Sequence, residues 1–227
     1  MPGDDSSSPS GNRREGAPGG TDNLTVVSVE LKGAAGEAVR IALADGSFFI
    51  LHAEVFAREG IAAGTDLDPE RVSLLLVRSE RVFARVRALA LLSRAAHTAQ
   101  GLARKLRVRG FSADAVRHSL LRMRELGYLD DRAFAESWVA SRMSMKKEGG
   151  KALYQGLLRR GVARALAEEV VAAGCSFTEE LECARRLSEG LSPSAAIRML
   201  THRGFRSRTI AAALGEMRGK RLEGPEE

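Results

Sequence analysis

The sequence predicts a mainly α protein: three tandem three-helix repeats in an elongated array, preceded by a small β-rich module of a hairpin plus a helix. Three observations predict it. A glycine-centred frame recurs three times in the C-terminal two-thirds. The composition is rich in Leu, Ala and Arg with only 5% aromatic residues, which suits thin helical layers better than a β-sandwich. The β-branched residues and an Asp-Gly turn gather in one stretch of the first third.

Residues 1–21 are read as a disordered tail, because five Gly, three Pro and four Ser among the first twenty leave too little to bury. Residues 22–80 form the β-rich module. The run Leu24–Leu31 is β-branched, and Val39–Leu43 alternates between apolar and other residues. Asp45-Gly46 then turns the chain into Ser47–Leu51. Asp-Gly between two apolar runs is a strong hairpin signal. A short helix through Glu54–Arg58 follows, ended by Gly60. Asp68-Pro69-Glu70 supplies an N-cap, a proline at the first helical position and an early acid. The helical pattern then runs almost to Arg94 and ties the module to the repeats.

The repeats are assigned to residues 81–128, 129–174 and 175–221, with an acidic tail at 222–227. Gly110, Gly161 and Gly204 anchor them. Leu106, Leu157 and Leu200 stand four before the glycine; Arg109, Arg160 and Arg203 stand one before; Phe111, Val162 and Phe205 stand one after. Val116, Ala167 and Ile210 come six after, and Leu120, Val171 and Leu214 ten after, sharing one helix face. The frame describes a helix that ends on a left-handed glycine, a corner plugged by an apolar residue, and a second amphipathic helix. A further helix precedes each anchor, at about 82–94, 131–145 and 178–189.

The formal net charge of +6 is unevenly spread. Residues 1–83 carry 8 Lys/Arg against 13 Asp/Glu, whereas residues 84–222 carry 27 against 13. A basic helical body attracts polyanions, and nucleic acid is the commonest of these in the cytosol; the competing reading is an Arg-rich solvated surface. No stretch approaches the roughly 18 apolar residues of a membrane span. No charged segment leads into an apolar one as in an export signal. Cys175 and Cys183 lack metal-type spacing. A cytoplasmic protein without membrane contact is expected.

Catalysis finds little support. His52, His97, His118 and His202 are scattered, no Gly-Lys-Ser/Thr phosphate loop exists, and Gly19-Gly20 and Gly149-Gly150 lack a strand-loop-helix setting. Asp130-Asp131 opens a helix, so N-capping is the simpler role. No enzyme, cofactor or metal is expected. The basic clusters carry more: Arg104, Lys105, Arg107 and Arg109 lead into the first anchor, and Lys146, Lys147, Lys151, Arg159 and Arg160 surround the second. Arg198, His202, Arg203, Arg206 and Arg208 surround the third. Stacked in similar orientation, they would line one face that binds phosphates in a salt-dependent way. Trp138 and Phe134 are expected in a core, with the Arg142 guanidinium four residues on over the indole. Gly101 and Gly156 lie inside middle helices, each costing about 1 kcal/mol of helix stability.

The run Leu126-Gly-Tyr-Leu-Asp-Asp-Arg-Ala-Phe-Ala135 with Val139 and Arg142, preceded by Leu102–Phe111, resembles the central signature of the RecX regulatory proteins of bacteria. The likeness spans roughly Leu24 to Met217 and is densest from Leu102 to Val162. It implies a modulator of the RecA recombinase. Such a protein binds the RecA filament on single-stranded DNA, most often inhibiting filament growth, ATP hydrolysis and strand exchange, and is expected to be a monomer. The carry-over makes Arg104, Lys105, Arg109, Lys151, Arg159, Arg160 and Arg203 contact candidates. Gly127, Asp130, Asp131 and Phe134 would hold the corner between the first two repeats. The departures are Gly101 and Gly156, where the family shows helix-favouring acids, and Lys146–Gly150, which lacks the family's proline. The alternative function is a free-standing sequence-specific DNA-binding protein, a helix-turn-helix repressor.

Overall fold

The computed structural model describes residues 24–222. The expected tail at 1–21 and the acidic tail beyond Leu222 lie outside the described residues. The chain forms two compact units: residues up to Ala96 with Leu102–Leu129, and His97–Gly101 with the chain from Asp130 onward.

In the first unit, strands β1 (Leu24–Lys32), β2 (Ala38–Leu43), β3 (Phe48–His52) and β4 (Asp66–Leu67) make an antiparallel sheet in the order β3-β2-β1-β4. The β2–β3 hairpin turns where the Asp-Gly pair predicts. Gly46 takes φ 84°, and Asp45 Oδ1 accepts from the Ser47 amide at 2.9 Å. Strict alternation sends Val39, Ile41, Leu43, Phe49 and Leu51 inward. Helix α1 (Ala53–Phe56) leads to β4 and then to α2 (Pro69–Leu92). Asp68 caps α2 by accepting from the Arg71 amide at 2.7 Å.

Helix α2 is shared by two layers. Its Val72, Leu75 and Val82 join the sheet's core, each worth about 1.5–3 kcal/mol once buried. The same helix packs against α4 (Ala113–Glu125), so the 80/81 position that divides module from repeat in the sequence lies inside one helix. Arg81 Nε meets Asp114 Oδ2 at 2.7 Å, and Glu80 accepts from the Ser112 amide at 2.7 Å. Between α2 and α4 runs α3 (Ala99–Val108), whose first residues belong to the second unit.

The second unit holds α5 (Asp131–Lys146), α6 (Gly150–Arg159) and α7 (Arg164–Gly174), then α8 (Phe177–Ser188), α9 (Pro193–His202) and α10 (Ser207–Leu222). Ala135, Val139, Leu153, Leu157, Val162, Ala167 and Val171 form one core; Ala184, Leu200, Phe205 and Ala213 form the next. A two-pronged Arg132–Glu169 ion pair, at 2.9 and 2.8 Å, joins α5 to α7 on the surface.

The three anchors form the same corner. Gly110, Gly161 and Gly204 have φ 85°, 85° and 74°. The amides of Phe111, Val162 and Phe205 reach back to the carbonyls of Leu106, Leu157 and Leu200 at 3.4, 3.1 and 3.0 Å. These are the long bonds of a glycine-terminated helix, and they bury all three leucines completely.

Candidate nucleic-acid interface

Each middle helix begins where the next corner can hold it. Thr98 Oγ1 donates to the Arg160 carbonyl at 2.5 Å, and the Ala99 amide donates to Asp131 Oδ1 at 2.7 Å. Gln100 lies where a Cβ on Gly161 would go, 2.2 Å from its Oε1. Fifty-one residues on, in the same frame, the Gly149 amide donates to the Arg203 carbonyl at 2.9 Å. The Gly150 amide donates to Glu180 Oε1 at 2.7 Å, and a Cβ on Gly204 would meet Ala152 at 2.4 Å. The start of α9 instead caps itself with Ser192 and Pro193.

This junction gives Gly149-Gly150 a use that its sequence context does not announce. A Cβ on Gly149 would fall 2.4 Å from the Phe205 Cα, so the missing side chain is the seat for the α9–α10 corner. Glu180 is 1% exposed and gathers three donors. They are the amides of Gly150 and Arg206, and the Thr209 hydroxyl at 2.7 Å. The Arg206 guanidinium compensates its charge at 3.5 Å.

Asp130 caps α5 by accepting from the amides of Arg132 and Ala133 at 2.8 and 3.0 Å. Asp131 reaches the start of α3 as above, Phe134 packs on the α5–α7 core, and Gly127 ends α4 with φ 73°. Burial pushes the Cys175 thiol up to about 11 and raises Cys183 as well, so neither is a ready nucleophile. Among the described residues no three His, Cys, Asp or Glu side chains gather as a metal site, and no helix is long and apolar enough to cross a membrane.

Folding brings one group of cations together. A cavity of about 650 Å³ in the second unit is lined by Trp138, Arg142, Met145, Lys146, Glu148, Ala152, Arg159, Arg160, His202 and Arg203. Five Lys/Arg side chains thus face one carboxylate. The Arg160 and Arg142 guanidinia lie 4.5 and 5.2 Å from the centroid of the Trp138 ring. The indole fits because residue 156 is glycine: a Cβ there would stand 2.2 Å from Cη2. Arg160 Nη1 donates to the Gly156 carbonyl at 3.0 Å, and Arg203 Nη1 donates to the Lys146 carbonyl at 2.7 Å. These two arginines are therefore positioned by backbone as well as aimed at the cavity. Burial, then the charges of Arg142 and Arg159, hold the Arg160 guanidinium below its ordinary value.

Of the sequence-predicted cations, Lys146, Arg159, Arg160 and Arg203 meet at this cavity. Lys147 and Lys151 are exposed beside it without lining it. Arg104 and Arg107 project from α3, and Arg109 Nη1 folds onto the Lys105 carbonyl at 2.9 Å. The sequence reading did not select Glu148 or Met145, whereas His202 stood in its third basic cluster. Arg142 had a signal in its spacing from Trp138; Glu148 had none, being hidden in a basic run.

Two family models match this chain: "RecX, first three-helix domain" over residues 84–123 and "RecX, second three-helix domain" over residues 130–171. Regulatory protein RecX of Caldanaerobacter subterraneus subsp. tengcongensis is 30% identical over 146 residues, 64% of this chain and 74% of its own length. That of Trichlorobacter lovleyi is 35% identical over 135 residues, 54% of this chain and 88% of its own. Among solved structures, a regulatory protein RecX superimposes with a TM-score of 0.62 at 19% identity, covering 85% of this chain and 99% of that one. RecX from Lactobacillus salivarius does so with 0.57 at 21%, covering 60% and 96%. Glycine-cornered three-helix units, matched twice over and shared with relatives across most of their length, make this chain a member of the RecX family of regulatory proteins.

Proposed function

We propose that this protein regulates the RecA recombinase by binding the RecA filament on single-stranded DNA, and that it inhibits filament growth, ATP hydrolysis and strand exchange. It acts as a cytoplasmic monomer without catalysing a reaction of its own. The single observation that carries the reading is the cavity around Trp138, where five Lys/Arg side chains stand against one carboxylate in a RecX-family helical unit. Cations crowded to this degree repel one another until phosphates neutralise them, and binding releases the counterions of the strand. Guanidinium groups give such contacts direction, since each presents several N–H donors in a plane. Backbone phosphates are the same at every nucleotide, so the contact tolerates any sequence, as a filament regulator requires. Lys147 and Lys151 of the same unit, and Arg104, Lys105, Arg107 and Arg109 of the first unit, are further candidate phosphate contacts.

RecA's DNA-dependent ATPase, measured at low salt with and without the purified protein, is the direct test. Substoichiometric protein is expected to slow it, and the Arg159→Ala, Arg160→Ala double variant to slow it less. No effect at any ratio to RecA would reject the reading. Trp138 is the chain's single tryptophan, so its emission also reports occupancy of the cavity when oligo(dT) is added.

A further inference from the structure

Among the described residues Glu148 is the one acidic side chain lining the cavity, and its carboxylate pairs with Arg142 at 3.4 Å. Their side chains are only 25% and 30% exposed, so water and salt screen the pair less than a surface contact. Yet it is looser than the 2.7 Å Arg81–Asp114 pair. A carboxylate facing a guanidinium offers the same pair of acceptor oxygens as a phosphodiester.

The backbone delivers Glu148 to this place under constraint. Lys147 ends α5 with φ 52° and ψ 44°, and it alone among the described non-glycine residues has a positive φ. A left-handed lysine is strained and persists only where the surroundings dictate it. On the other side, Gly149 is pinned to the Arg203 carbonyl and has Phe205 where a Cβ would go. Glu148 therefore sits between a left-handed residue and one held against the α9–α10 corner, and its side chain pairs with Arg142 of α5. Burial first, and then the charges of Arg142 and Arg159, hold the Arg160 guanidinium below its ordinary value, with Glu148 opposing them.

We propose that Glu148 is an internal phosphate mimic: it holds Arg142 in the place that a phosphodiester of single-stranded nucleic acid takes, and the strand enters by displacing it. The proposal rests on the phosphate-binding reading of the cavity. Displacement makes occupancy a competition, so Glu148 sets how strongly the cavity grips a strand. It also releases Arg142 from an acceptor that would otherwise remain beside the incoming negative charge.

The test is oligo(dT) binding by the full chain, followed by anisotropy of a labelled strand and by Trp138 emission, across a salt series. Glu148→Gln is expected to tighten binding about threefold or more at low salt. The slope of log affinity against log salt should steepen by about 0.7, one further phosphate contact on a single strand. Glu148→Ala is the second variant and should gain likewise. Glu182→Gln removes an exposed charge outside the cavity and is the control for net charge. The gain should vanish in an Arg142→Ala background. Glu148→Gln binding no tighter than Glu182→Gln, or a gain that survives without Arg142, overturns the gate. If Arg159→Ala leaves affinity and salt slope unchanged, the phosphate reading itself falls. Weakening by Arg159→Ala without a gain from Glu148→Gln removes the gate alone.

Discussion

At Gly156 two effects oppose each other. Helix propensity favours alanine there by about 1 kcal/mol. Packing opposes it, because the new Cβ would lie 2.2 Å from the Trp138 ring, which is itself pressed against the Arg160 guanidinium. Overpacking a fitted contact costs about 1–3 kcal/mol, so packing wins. Gly156→Ala is expected to lower the thermal midpoint and to shift Trp138 emission in the unliganded protein; a raised midpoint with unchanged emission would show that the indole has room. Lys147→Gly runs the other way. Relief of the left-handed strain should raise stability by about 1 kcal/mol in chemical denaturation, and a loss would mean that its side chain holds more than its backbone costs.

Among the elements, the middle helices depend on the corner that follows them. Helix α6 has no side-chain cap of its own, and Glu180 on α8 supplies an acceptor for its first amide while being wholly buried. Removing that carboxylate leaves the Arg206 charge and several donors unpaired, at a cost of about 3–5 kcal/mol. Thr98 holds α3 to the neighbouring corner through a neutral hydrogen bond, worth about 1 kcal/mol. Denaturation of Glu180→Ala and Thr98→Val should therefore rank the first well below the second. Equal losses would mean that the buried carboxylate contributes no more than a neutral hydrogen bond.

For the whole molecule, the surface ion pairs set the response to acid. Hydrogen bonding and charge from Arg81 hold Asp114 below the usual carboxylate range, and Arg132 does the same to Glu169. A depressed carboxyl contributes stability above its unfolded value of about 4, and that stability is lost as pH falls through the lower folded value. The thermal midpoint should accordingly decline below about pH 4, and Asp114→Asn with Glu169→Gln should flatten that decline. A profile unchanged by both substitutions would remove these pairs from the account. At neutral pH the effect of the double variant should be small, since Arg132–Glu169 is exposed and Arg81–Asp114 is only half-buried.

Local chemistry was enough to write most of the fold in the sequence. Asp45-Gly46 fixed a hairpin, Asp68-Pro69 a helix start, and Gly110, Gly161 and Gly204 three left-handed corners, because each depends on backbone preferences within a few residues. Asp130 was readable as a cap for the same reason. The site was legible only in part. Lys146, Arg159, Arg160 and Arg203 were identifiable as basic, but their meeting around Trp138 needs α5, α6 and α9 packed together. Gly156 read as a weak point of a helix and Gly149 as half of a poor phosphate loop, whereas packing makes them the places where Trp138 and Phe205 fit. Glu148 carried no signal, for its partner lies across a corner that only the folded backbone of Lys147 turns. Periodicity and capping are near-neighbour effects and survive in one dimension. Which charges share a cavity depends on long-range packing, and that is decided only when the helices are in place.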